Sequence, residues 1–275
     1  MKHHLILALC GLLALPGAAT ANEDANTRLA RAELAGRQNA LSHRLTRAIC
    51  FMAIDSFAEQ HQNMLVRARA EFDSTLAQLQ RISPDQKPAT ERIAAVWQDM
   101  QPLVLRISAA GNASNGDVNE ATATAARLTA ATNAFFTSST HGNDLPPTLQ
   151  EHLNLVALVL TQSARLEQAA TQSCLIRADI ERSANQDALR RTTEAFQRDS
   201  TVLVFGQESS GIPHPQTWEI YARIRFVTQD WIRVGIHYAI AMRRSPSAQK
   251  MNEIAEDIDP MQRRLGELIE MYHQL

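Results

Sequence analysis

The stretch Leu34-Ala-Gly-Arg-Gln-Asn-Ala-Leu-Ser-His-Arg-Leu-Thr-Arg-Ala-Ile-Cys50 has two different faces when it is wound as a helix. At about 100° per residue, Leu34, Leu41, Leu45, Ala48, Ile49 and Met52 fall on one side, an apolar stripe wide enough to bury a helix in a bundle. Ala35, Gly36, Asn39, Thr46, Cys50 and Ala53 fall on the other, with His43 at its edge. Such small side chains add little to an apolar core but let a second backbone come close. A helix that buries both sides is central to its fold, and the remaining chain is expected to pack around it.

The rest of the sequence reads the same way. Ala, Leu, Gln, Arg and Glu are abundant, aromatics make up 5%, and the alternation of half-buried strands is hard to find. Periodicity predicts helices over 26–57, 59–82, 88–110, 117–138, 147–182, 185–205, 215–243 and 247–273. Breakers separate them at Ser83-Pro84-Asp85, Gly111 to Gly116, Gly142 to Pro147, Gly206 to Pro215 and Ser245-Pro246. The predicted fold class is all-α, as two tandem up-down four-helix units spanning 22–142 and 143–275.

An internal repeat supports that division. A shift of 124 residues lays Gln38 on Gln162, Ala40 on Ala164, Cys50 on Cys174, Asp55 on Asp179, Leu65 on Leu189, Phe72 on Phe196 and Leu79 on Leu203. Beyond the loop around Gly206 to Gly211, a shift of 131 lays Val96, Gln98 and Asp99 on Val227, Gln229 and Asp230. A shift of 133 then lays Asn119-Glu120 on Asn252-Glu253. The order is kept and the shift grows at loops, as duplication of one four-helix unit requires.

The N-terminus has the form of a secretory signal peptide. Lys2 precedes an apolar run from Leu5 to Leu15, and Ala19-Thr-Ala21 follows as a small-residue cleavage site. Cys10 offers a lipoprotein alternative, but Leu9 is too large for a good lipobox. Removal of residues 1–21 takes one charge, Lys2, from 27 basic and 29 acidic residues. That balance points neither to nucleic acid nor to an anionic membrane. No second apolar run approaches the length of a membrane span.

The segment Ala35-Gly-Arg-Gln-Asn-Ala-Leu-Ser-His-Arg44 resembles the signature that opens PilJ-type domains, the periplasmic modules of type IV pilus chemotaxis transducers. There the pattern runs close to Ala-Gly-Arg-Gln-Arg-Met-Leu-Ser-Gln-Arg, and a related segment occurs in nitrate/nitrite-sensing histidine kinases. Ala35, Gly36, Arg37, Gln38, Leu41, Ser42 and Arg44 match; Asn39, Ala40 and His43 depart. In the nitrate sensors an arginine at the position of Asn39 carries anion recognition at a dimer interface.

The resemblance implies a periplasmic sensing role, with a small anion such as nitrate or nitrite held between the first helices of the two units. The implied site comprises Arg37, Asn39 and His43, with Ser163 and Arg165 as counterparts. Aligning the cysteines puts Ser163 opposite Asn39; sliding by two residues puts Arg165 there instead, and the cysteine register is preferred. A membrane sensor kinase, chemoreceptor or pilus component would carry the signal inward. If the two first helices pack as the corresponding helices of two sensor subunits do, Cys50 and Cys174 meet as a disulfide; two buried free thiols are the second reading and an intermolecular bridge the third. The rival function is a helical periplasmic adaptor that binds a receptor or pilus component and no small molecule.

Enzyme chemistry finds no foothold. His43, His61, His141, His152, His214, His237 and His273 are scattered, with no two at the spacing that places metal ligands on one helix face. Glu253, Glu256, Asp257 and Asp259 suit the positive start of a helix. There is no nucleophile elbow, phosphate loop or covalent haem motif, so neither cofactor nor metal is expected. Trp97, Trp218, Trp231, Phe135, Phe136, Phe226, Tyr221 and Tyr238 are expected as core anchors.

Overall fold

The computed structural model describes residues 17–140 and 145–274, with side chains from residue 26 onward. The predicted leader, and the export it implies, falls largely outside the described residues. Among them the chain is all-helical: α1 (Gly17–Ala53), α2 (Ala58–Ile82), α3 (Lys87–Ala110), α4 (Asn115–Thr140), α5 (Pro147–Arg177), α6 (Arg182–Phe205), α7 (Trp218–Ala241) and α8 (Ala248–Tyr272). Short 3-10 turns at Pro84–Gln86 and Glu208–Ser210 complete the order.

Most of these helices bury one face, for the reason their sequences give. In α3, Ile93, Trp97, Met100, Val104 and Ile107 recur every three or four residues and are the buried ones. α1 and α5 differ. Every residue of 45–52 is buried, as is every residue of 169–176, so the last turns of both helices are enclosed on all sides. α1 packs against α2, α4 and α5; α5 packs against α1, α6 and α8. Contacts run α1 to α2, α3, α4 and back to α1, and likewise through α5 to α8, with α1 against α5 joining the two sets.

The two sets repeat each other in detail. Gln38 Nε2 donates to the Phe72 carbonyl at 2.9 Å, and Gln162 Nε2 donates to the Phe196 carbonyl at 2.9 Å. Both amides are buried, where an unmade hydrogen bond is costly. The turn after α1 places Asp55 and Phe57 in the left-handed region; the turn after α5 does the same with Asp179 and Glu181. In each, the chain folds back through equivalent bonds, Ser56 N to Phe51 O and Ile180 N to Leu175 O. These turns end α1 at Ala53 and α5 at Arg177, earlier than periodicity predicted, because four non-glycine residues accept positive φ there. The start of α7 moves the other way, to Trp218, where the Thr217 hydroxyl caps the Ile220 N–H after Pro213 and Pro215.

The aromatic pairs correct the alignment of the third helices. Phe72 stacks on Trp97 with centroids 4.2 Å apart, and Phe196 stacks on Trp231 at 3.7 Å. Trp97 is therefore equivalent to Trp231, a shift of 134 in place of 131. Three residues is just under one helical turn, which is why the wrong shift still matched residues on much the same face. The aromatic anchors divide as well: Trp97, Trp231, Phe135 and Tyr238 are buried, but Trp218 is 73% exposed and Phe226 52%.

Gly36 shows why the second face of α1 is built from small residues. A Cβ there would stand 2.6 Å from Leu160 Cδ1 and 2.9 Å from Leu160 Cβ on α5. Gly36→Ala is expected to destabilise the protein by about 1–3 kcal/mol, overpacking outweighing the roughly 1 kcal/mol of helix propensity gained. Denaturant unfolding checks this, with Leu160→Ala in the same chain recovering part of the loss.

Candidate ligand-binding cleft

The seam between α1 and α5 carries charge through its interior. Arg47 is fully buried on α1; its Nε stands 2.8 Å from Oε2 of Glu167, itself fully buried on α5. The pair is close as charges without being aligned as a hydrogen bond. Arg47 Nη2 donates to Asp259 Oδ1 of α8 at 2.9 Å, and Arg44 Nε donates to Glu167 Oε1 at 2.9 Å. Two arginines and two carboxylates sum to zero, the condition under which ions survive in a low-dielectric interior. Burial would raise the Asp259 pKa, but the Arg47 and Arg44 guanidinium groups hold the carboxyl below its usual range.

Directly over this network lies a groove between α2 and α8, floored by α1 and α5. One lobe, of about 400 Å³, is lined by Arg44, Met64, Arg67, Glu71, Asp259, Gln262 and Arg263. The other, of about 300 Å³, shares Arg44, Glu71 and Gln262 and adds Arg37, Leu160, Ser163 and Glu270. Arg67 and Arg263 are exposed and line opposite walls, and among the described residues neither makes an ion pair. Arg44 at the floor is held by Glu167, with Glu71 at 3.7 Å. Guanidinium groups lining opposite walls of a groove present planar, permanently charged donors suited to an oxyanion, and the carboxylates beside them limit how much negative charge fits.

The five residues implied by the resemblance are not brought to one place. Arg37 and Ser163 line the second lobe, Arg37 paired with Glu33 at 2.5 Å and Ser163 donating to Gln262 Oε1 at 2.5 Å. Asn39 turns to α4, where its Nδ2 donates to Asn133 Oδ1 at 3.0 Å. His43 also faces α4, with Nε2 3.5 Å from Thr129 Oγ1. Arg165 reaches across to Asp199 of α6 and lines a separate cleft of about 620 Å³ between α4, α5 and α6. The reason is rotation: residues two and six positions after Arg37 point about 200° and 240° around the helix from it, away from the groove. Cys50 and Cys174 are joined by a disulfide across the seam, their Cα atoms 6.1 Å apart.

Arg67, Glu71, Gln262 and Arg263 had no signal of their own in the sequence, and Asp259, expected at the start of a helix, stands in the middle of α8. Arg67 and Glu71 share a face of α2 at i, i+4, and Asp259, Gln262 and Arg263 share one of α8, but nothing local says that α2 faces α8. Among the described residues no group of His, Cys, Asp and Glu could hold a metal ion. No family model, no curated protein and no solved structure matches the chain.

Two histidines near the seam are held neutral. Loss of hydration pushes His43 down to about 4 against the opposing pull of Glu167. Burial, aided by Arg47, pushes His61 down to about 4, and its Nδ1 stands 3.1 Å from the Phe57 carbonyl, so that nitrogen carries the proton. Folded-state values below the unfolded 6.5 mean that the unfolded chain binds protons first. Stability is therefore expected to be complete above pH 6.5 and to fall as pH drops from 6.5 towards 4. Urea midpoints measured across that window should decline, and less steeply in His61→Phe.

Proposed function

We propose that the protein is a non-catalytic, exported sensory or ligand-binding protein of two PilJ-like four-helix units, and that the groove over Arg44 holds a small oxyanion of the nitrate or nitrite class. The opening signature of α1 supports the family reading. The duplicated turns, Gln–carbonyl bonds and Phe–Trp stacks support descent of both units from one. The observation that carries the ligand reading is the placing of Arg67 and Arg263, without ion-pair partners among the described residues, on opposite walls above a third arginine. A membrane receptor or kinase would read the occupied state, since no helix among the described residues is long and apolar enough to cross a membrane.

A thermal-shift screen tests this. The mature chain is compared in nitrate, nitrite, other oxyanions and small organic acids, with chloride at matched ionic strength as control. A ligand at a hundred times its dissociation constant adds about 2.7 kcal/mol to the folded state, a visible rise in melting temperature. The rise should vanish in Arg67→Ala and Arg263→Ala, both exposed and so harmless to the fold, and persist in Arg165→Ala, which lines the other cleft. A flat screen transfers the weight to the adaptor reading.

A further inference from the structure

Seven large hydrophobic side chains stand exposed among the described residues, and four of them, Trp218, Phe226, Ile232 and Ile236, belong to α7. At 100° per residue Trp218, Ile232 and Ile236 lie within about 40° of one line, with Phe226 at its edge, over ~27 Å of helix. Exposed Arg225 and Gln229 lie on that line between Trp218 and Ile232, so the apolar surface falls into two patches with polar side chains between them. Scattered exposed apolar residues need no explanation, but four of the seven on one helix do.

The sister helix lacks it. By the register that the Phe–Trp stacks fix, Phe226, Ile232 and Ile236 correspond to Arg92, Gln98 and Pro102 of α3, all exposed. At two of these three positions the residue is thus polar in one copy and apolar in the other. The stripe is no requirement of the bundle.

Its unpaired charges are mostly basic. Arg225 is exposed within the stripe, Arg243 and Arg244 are exposed at its end, and none of the three makes an ion pair among the described residues. The Arg264 guanidinium sits 5.9 Å over the Phe226 ring. Of the α7 carboxylates, Asp230 is turned to Arg264 and Arg233, and Glu219 lies at the Phe226 edge.

We propose that the outer face of α7 docks on an anionic lipid bilayer. A helix face with a tryptophan at one end, apolar side chains further along it and arginines at its middle and far end matches the interfacial arrangement of apolar groups below the headgroups and cations among the phosphates. A second copy would set three unpaired arginines and one edge carboxylate against the same set, whereas lipid phosphates supply a counter-charge to each arginine. The net charge of −2 conceals this because it averages over the whole chain. Docking would hold the groove protein near its membrane partner, but the surface is argued independently of what the groove binds.

Vesicles of phosphatidylglycerol mixed with phosphatidylcholine, against phosphatidylcholine alone, test it with the mature chain. Trp218 reports directly, because Trp97 and Trp231 are buried. The expected result is co-sedimentation and blue-shifted emission with the anionic vesicles only, reversed by salt. At least a tenfold loss of affinity is expected in Ile232→Glu/Ile236→Glu and in Arg225→Glu, with circular dichroism unchanged. Absence of binding to anionic vesicles overturns the proposal. So does a concentration-dependent dimer that these variants abolish, which would make a second copy the occupant.

Discussion

Glu167→Ala is expected to lower the unfolding free energy by about 3–5 kcal/mol, the cost of leaving a buried charge without its partner. Arg47 has no exposed surface, and among the described residues Glu167 is the one carboxylate within ion-pair distance of both it and Arg44. Asp259 remains in the variant, but its single contact does not restore neutrality around two guanidinium groups. The companion variants separate this from simple loss of packing. Arg44→Ala should cost much less, because Arg44 keeps part of its surface in water. Arg47→Met combined with Glu167→Leu should cost less than the sum of the two single changes, a coupling that denaturant unfolding of the full cycle measures. An additive result would mean that the charges do not interact.

Removal of the disulfide is the second large effect. Cys50 and Cys174 are 124 residues apart, and closing a loop of that size removes enough disorder from the unfolded chain to stabilise the fold by about 4–5 kcal/mol. Cys50→Ala/Cys174→Ala, or reduction under native conditions, should lower the denaturant midpoint by a corresponding amount without changing helix content. Both sulfurs are buried, so reduction is expected to be slow until the seam opens. Equal stability of the oxidised and reduced proteins would show that α1 and α5 are held entirely by their packing.

These two devices also show what could be read in the chain and what could not. The centrality of α1 was legible, because small residues on one side and leucines on the other leave no face for water, and Gly36 against Leu160 is the contact that pattern anticipates. The repeat was legible through α2, where a shift of 124 holds unchanged. It failed in the third helix, because a slip of just under one turn keeps nearly the same face and a few chance identities outweighed the tryptophans. The Arg47–Glu167 pair was not legible. Under the repeat Glu167 lies opposite His43, so the pair sits at a position where the two halves of the sequence differ, and such a difference is invisible to a search for similarity. The same limit hid the groove, whose arginines come from α2 and α8, and the face of α7, whose aromatic residues had been expected inside.

The central claim is that Arg67 and Arg263 hold a small oxyanion over Arg44. Calorimetric titration of the protein from residue 22 onward with nitrate and with nitrite at low ionic strength, alongside Arg67→Ala/Arg263→Ala, addresses it directly. The account predicts saturable one-to-one binding by at least one of these anions, competed by the other and abolished in the double variant. Binding that survives the loss of both arginines, or no heat from either anion, would contradict it.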